Sequence, residues 1–110
     1  MSGYYELHKS SDDKFVFNLK AENNEIILTS QKYSTKQHAL DGMESVRTNA
    51  GADANYARRS SVANQPYFVL NAGNGETIGS SQMYSSGPAM EGGIASVKKH
   101  GGTKTAKDNA

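Results

Sequence analysis

Displaced by fifty-one residues, the chain matches itself without a gap. Tyr5 falls on Tyr56, Ser10 on Ser61, Phe17 on Phe68, Leu19 on Leu70 and Ala21 on Ala72. The register continues through Asn23/Asn74, Glu25/Glu76, Ile27/Ile78, Ser30/Ser81, Gln31/Gln82, Tyr33/Tyr84, Ser34/Ser85, Gly42/Gly93, Ser45/Ser96 and Val46/Val97. These are fifteen identities in the forty-six pairs from Tyr5/Tyr56 to Ala50/Gly101; unrelated sequences of ordinary composition would give roughly three. The chain is two copies of one unit. Positions that both copies keep are those the unit's geometry demands, or those of a site present twice.

The units run from 1 to 51 and from 52 to 110. Each is too small to bury a comfortable core alone, so the two are expected to share one and form a single compact monomer. The chain has no cysteine, which removes disulfides, thiolate catalysis and Cys-type zinc sites. The start, Met1-Ser2-Gly3-Tyr4-Tyr5-Glu6, has neither a basic nor an apolar leader region, and no apolar run approaches membrane-spanning length. A soluble, cytoplasmic protein with no membrane partner is expected.

The formal charge of +1 is unevenly spread. Residues 1–55 hold six Lys/Arg and eight Asp/Glu, giving −2, while 56–110 hold six and three, giving +3. Arg58, Arg59, Lys98, Lys99, Lys104 and Lys107 form a weak anion-facing set if the fold gathers them; solvated surface charge is the plainer reading.

Each unit parses alike. Tyr4 to Ser10 alternates, Tyr5 and Leu7 against Glu6 and His8, with the period of a half-buried strand. Phe15, Phe17, Leu19 and Ala21 alternate more sharply, and Phe68, Leu70 and Ala72 repeat them. Pro66 replaces Phe15, so that strand is expected to begin late, because proline cannot donate to a ladder. Asn23-Asn24 and Asn74-Gly75 precede a third apolar run, and Asn-Gly is the preferred signal of a type I′ hairpin. Ile27/Ile78 is the one apolar identity of this third strand and its expected core contact.

After Tyr33 the period changes. Ser34 and Gln37 spell a capping box, and Ala39, Met43 and Val46 follow at helical spacing. Met90, Ile94 and Val97 repeat the stripe between Gly87-Pro88 and Gly101-Gly102. Gly42 and Gly93 lie mid-helix, where glycine costs about 1 kcal/mol relative to alanine. Retention in both copies implies a close approach of the helix backbone to something on the sheet side. The expected fold is α+β: two tandem β-β-β-α repeats related by a pseudo-twofold, antiparallel sheets each backed by one helix, with Thr103 to Lys107 a candidate edge strand.

The runs Ser30-Gln31-Lys32-Tyr33, Ser81-Gln82-Met83-Tyr84, Gly93-Ile94-Ala95-Ser96-Val97-Lys98 and Lys107-Asp108-Asn109 resemble the YegP-like family of small prokaryotic proteins, across nearly the whole chain. The resemblance implies an interlocked pair of β-β-β-α units and brings no activity, cofactor or catalytic residue with it. Met43-Glu44 against Ile94-Ala95, and Gly87-Pro88 at the second helix start, suggest that the two helical faces are not equivalent.

No catalytic constellation is visible, and no cofactor or metal is expected. The identities include no His, Asp, Lys or Arg, and His8, His38 and His100 stand opposite Arg59, Ala89 and Asn49, which disfavours a repeated imidazole base or metal pair. A carboxylate pair of Glu25 with Glu76 across the dyad is the unfavoured alternative. Gly73-x-Gly75-x-x-x-Gly79 has the wrong spacing for a phosphate loop and leads into a strand. Two readings remain. One is a noncatalytic binding module presenting Asn23, Glu25, Gln31 and Tyr33, and again Asn74, Glu76, Gln82 and Tyr84, to a protein or small ligand; packing of both tyrosines beneath the helix entry is the plainer role for them. The other is weak nucleic-acid binding through the open sheet face, with Lys14, Val16, Asn18, Lys20, Tyr67, Val69 and Asn71, and Arg58 or Arg59 nearby; the near-neutral charge speaks against it.

Overall fold

A computed structural model describes residues 3–110. It is α+β, with seven strands and two helices. In chain order these are β1 (Tyr4–Lys9), β2 (Phe15–Lys20), β3 (Ile26–Ser30), α1 (Lys36–Asn49), β4 (Tyr56–Ser60), β5 (Pro66–Asn71), β6 (Thr77–Ser80), α2 (Gly87–His100) and β7 (Ala106–Asp108). The strands of both halves lie in one sheet of order β4-β5-β6-β3-β2-β1-β7, where two sheets were expected. All neighbours are antiparallel except β7, which runs parallel to β1 with Tyr5 opposite Ala106 and Leu7 opposite Asp108. The tail therefore supplies an edge strand. At the central seam Thr29 faces Ser80, its own equivalent fifty-one residues on.

Alternation puts Tyr5, Leu7, Phe17, Leu19, Phe68 and Leu70 on one face, and both helices lie on it, burying Ala39, Met43 and Val46 and Met90, Ile94 and Val97 in the same core. Burial of each large side chain is worth roughly 1.5–3 kcal/mol. Neither helix keeps to its own half: α1 packs on β2 and β6, and α2 on β5, β3 and β2. The helix ends are tied the same way. Tyr5 Oη donates to the Gly101 carbonyl closing α2 (2.5 Å), and Tyr56 Oη to the Ala50 carbonyl closing α1 (2.6 Å). Each tyrosine thus satisfies an orphan carbonyl at the end of the other half's helix. Among the described residues no helix is long and apolar enough to cross a membrane.

Three local expectations are corrected. The strand after Pro66 does not begin late: β5 starts at Pro66 as β2 starts at Phe15, because the proline carbonyl still accepts from Tyr84 N–H (2.8 Å). Only the reciprocal donation, which Phe15 makes to the Tyr33 carbonyl (2.7 Å), is lost. The Asn-Gly hairpin is not type I′, which needs two residues at positive φ. Only Gly75 (87°) and its equivalent Asn24 (69°) have it, after i→i+3 bonds from Asn24 N–H to Ala21 and from Gly75 N–H to Ala72 (both 2.9 Å). These are type I turns closed by one left-handed residue, and Asp13 (63°) and Asn64 (60°) close the other two hairpins likewise. The helix cap is Thr35, whose Oγ1 accepts from His38 N–H (3.1 Å), and Ser86 does the same for Ala89 N–H (3.2 Å). Gln37 turns instead to Asp41 (2.9 Å).

Candidate functional site

Two grooves open on the helix-bearing side, and each is built from both halves. The first, about 290 Å³, lies between the β2–β3 hairpin (Ala21, Asn23, Glu25, Ile27) and the second half's Gln82, Tyr84, Ala89, Gly92, Gly93 and Ser96. The second, about 240 Å³, lies between Ala72, Glu76, Thr77 and Ile78 and the first half's Tyr33, His38, Asp41, Gly42 and Ser45. Shifted by fifty-one residues, eight of the ten positions around the first groove recur around the second, Asn23/Asn74 and Gln82/Gln31 excepted. Eight of the ten residues around the first groove belong to the identities between copies, Ala89 and Gly92 excepted.

The walls follow from local chemistry. In β3 the register slips between Leu19/Leu28 and Lys20/Ile26, leaving Ile27 as an extra residue; Ile78 is its counterpart in β6. Such a bulge re-aims a side chain, and both isoleucines are buried at a groove. Ser30 and Ser81 mend the ladder beside it: each Oγ accepts the N–H of Phe17 or Phe68 (2.9 and 3.0 Å) and donates to the next residue's carbonyl. Asn23 and Asn74 hold the hairpin tips, their Oδ1 atoms accepting from Glu25 and Glu76 N–H at 3.1 and 3.0 Å.

The tyrosines form the back of each groove. Tyr33 stacks on Phe17 and Tyr84 on Phe68, with ring centroids 6.3 Å apart in both pairs. The phenols reach the helix glycines. A Cβ on Gly42 would meet Tyr33 Oη at 2.5 Å, and one on Gly93 would meet Tyr84 Cζ at 2.6 Å, which explains why glycine is kept against its helix propensity. Both tyrosines are half-buried, so the packing role and the groove-lining role coincide. Burial, and then the Glu76 carboxylate from the other half, raises the Tyr33 phenol above its ordinary value. For Tyr84 burial again leads; a Gln82 hydrogen bond opposes it and the Glu25 carboxylate adds to it. A glutamate of one half therefore faces a tyrosine of the other.

Of the residues singled out in the sequence, Asn23, Glu25, Gln82 and Tyr84 meet in the first groove, and Glu76 and Tyr33 in the second. Gln31 and Asn74 stand outside the second groove's lining. Glu25 and Glu76 line different grooves, so they form no carboxylate pair. Of the basic set, Arg58 and Lys98 meet at Asp53. Arg58 bonds Glu91 and Asp53, Lys98 bonds Asp53 (2.8 Å), Lys99 faces Glu22 (3.6 Å) and Lys107 covers the Tyr4 ring (4.6 Å). The Lys98 and Arg58 hydrogen bonds pull Asp53 down to about 2. Arg59 and Lys104 are exposed and join no ion pair among the described residues.

Ser45/Ser96 and Gly42/Gly93 were visible as identities but not as groove residues. Asp41, His38, Gly92 and Ala89 carried no such signal, because they differ between copies.

The chain matches the family described as a domain of unknown function (DUF1508) twice, over residues 10–56 and 61–108. It is 53% identical over 108 residues to a UPF0339 protein of Shewanella oneidensis, covering 98% of each chain. It is 48% identical over 109 residues to the UPF0339 protein YegP of Escherichia coli, covering 99% of each. Solution NMR structures of a Shewanella oneidensis UPF0339 protein and of Escherichia coli YegP superpose with TM-scores of 0.92 and 0.94. The first match covers 98% of this chain and 92% of that one, the second 99% and 94%.

Proposed function

This chain belongs to the DUF1508 family and carries that domain twice, and we propose that it is a noncatalytic binding module with two pseudo-equivalent ligand grooves. In this reading the units are residues 1–51 and 52–110, β-β-β-α repeats related by a pseudo-twofold through the Thr29/Ser80 seam, and the protein works as a monomer. One observation carries it. The residues retained between copies include several that the fold does not use fully, and these gather in two cavities that neither copy could form alone. Asn23, Ser30, Gly42 and Ile27 have structural duties that explain their retention. The side chains of Glu25 and Glu76 have none among the described residues, and the Tyr, Ser and Gln groups beside them add hydrogen-bonding capacity around a small apolar floor. The cavities suit a small molecule or one protruding side chain of a larger partner.

The test is a two-dimensional 1H–15N NMR screen with a library of small polar metabolites. Binders are expected to shift the amides of Gly93, Ser96 and Tyr84, or of Gly42, Ser45 and Tyr33, as groups, and Gln82→Ala with Tyr84→Phe should weaken only the first set. Binders that map only to the open sheet face would overturn the assignment.

The nucleic-acid alternative is the weaker proposal, since Arg58, Lys98 and Lys99 are already in ion pairs. Saturable binding of labelled DNA or RNA that falls steeply with salt, and flattens in an Arg58→Ala/Arg59→Ala variant, would reverse the ranking.

A further inference from the structure

The acidic side chains sort into two groups. The chain has eleven Asp and Glu residues. Eight of them, Glu6, Asp12, Asp13, Glu22, Glu44, Asp53, Glu91 and Asp108, each stand within ion-pair distance of a lysine or arginine. The remaining three are Glu25, Asp41 and Glu76. Asp41 takes only the neutral Gln37 amide, and the two glutamates have no side-chain hydrogen bond or ion pair among the described residues. All three line the grooves, and no lysine or arginine does. Among the described residues, every side-chain carboxylate outside the two cavities has a lysine or arginine beside it, and those inside have none.

Resting on the reading that the grooves bind a ligand, we propose that this ligand presents an organic cation, an alkylammonium or guanidinium head on a short apolar stem. The carboxylate at the hairpin takes the head, and the stem lies on the small apolar floor. In the first groove that floor is Ala21, Ile27, Ala89 and the Gly92-Gly93 backbone. The tyrosine beside the carboxylate adds a ring edge and a phenol oxygen that accepts from an N–H donor. Cavities of about 290 and 240 Å³ are below the usual drug-sized range and fit one such head and stem. The second groove brings Asp41 to the place Gly92 holds in the first. Two carboxylates there make it the tighter of the two for a cation. His38, in the position of Ala89, lines the second groove beside them.

The head can come from a free amine or from a lysine side chain, and the test separates these. The full chain is titrated at low salt with n-butylamine, Nα-acetyl-lysine methylamide, n-butanol and butyrate, and followed by 1H–15N NMR. The ammonium probes are expected to shift both groove sets at concentrations where butanol and butyrate do not, with the Glu76 groove about threefold tighter. Glu25→Gln should weaken the first groove, and Glu76→Gln the second, each by about fivefold. Asp41→Asn should level the two. Preference for the acetylated lysine probe assigns a peptide side chain; preference for butylamine assigns a free amine. Equal binding of the neutral or anionic probe, or Gln variants that bind as wild type with unchanged spectra, would overturn the cation assignment and leave the grooves standing. If no probe of any charge moves the groove amides, the cation proposal falls together with the groove reading.

Discussion

Gly92 and Gly93 are adjacent in α2, yet a methyl group has opposite consequences at the two positions. At Gly92 nothing lies within 4 Å of an added Cβ, while at Gly93 the Tyr84 phenol and the Phe68 ring stand in the way. Gly92→Ala is therefore expected to stabilise the protein by up to about 1 kcal/mol through helix propensity. Gly93→Ala, and Gly42→Ala against Tyr33, should destabilise it by about 1–3 kcal/mol, since a stacked ring edge cannot yield as a flexible chain end would. Urea denaturation of the three variants decides it; a stabilised Gly93→Ala would mean that the tyrosine leaves its place at no cost. Tyr5 and Tyr56 allow a second prediction. Burial is the first cause that pushes both phenols well above the ordinary tyrosine value of 10. A raised native pKa means that the folded state keeps protons which the unfolded state loses. That stability is complete below pH 10 and declines as pH rises past it. The decline should be shallower in Tyr5→Phe and Tyr56→Phe, each of which also loses about 1 kcal/mol at neutral pH with its hydrogen bond to a helix-end carbonyl.

At the level of elements, the sequence was most legible where a pattern is local. The alternation of Phe15, Phe17 and Leu19 marks β2, and the Ala39-Met43-Val46 stripe marks the buried side of α1, because periodicity reports directly on which side faces a core. It was less legible where two local solutions compete. Ser34 and Thr35 are both competent caps, and Ser34 with Gln37 spells a capping box, yet Thr35 takes the role. Thr35→Ala should cost about 1 kcal/mol and Ser34→Ala close to nothing, a difference thermal unfolding can read. The bulges at Ile27 and Ile78 had no signature beyond the retained isoleucine. The grooves were illegible for a different reason. The fifty-one-residue shift says which residues are kept, but the hairpin carrying Glu25 faces Tyr84 of the other copy. That juxtaposition depends on the β3–β6 seam and cannot be inferred from either copy alone.

The seam also sets what the whole molecule can become. Because Thr29 faces its own equivalent Ser80, a single half can meet a second copy of itself along the same edge, with each helix still lying across the partner's strands. The two halves should differ in how well they do this. In the intact chain β7, from the end of the second half, covers the outer edge of β1, while β4, the equivalent of β1, stays open because residues 51–55 turn directly into it. A homodimer of residues 52–110 has two copies of β7 for two β4 edges. The register seen on β1, where Asp108 lies opposite Leu7, would place Asp108 opposite Arg58, an opposite-charge neighbour across the strands. A homodimer of residues 1–51 has no such strand and leaves both β1 edges bare. Residues 52–110 are therefore expected to run as a folded dimer in analytical ultracentrifugation, with stability that rises with concentration. Residues 1–51 should dimerise more weakly or stay unfolded, because a unit of that size cannot bury enough surface alone. A folded monomer from either half would show that the core is divisible. It would remove the basis for treating the helix-to-hairpin grooves as a property of the pair, since each groove needs both halves in place.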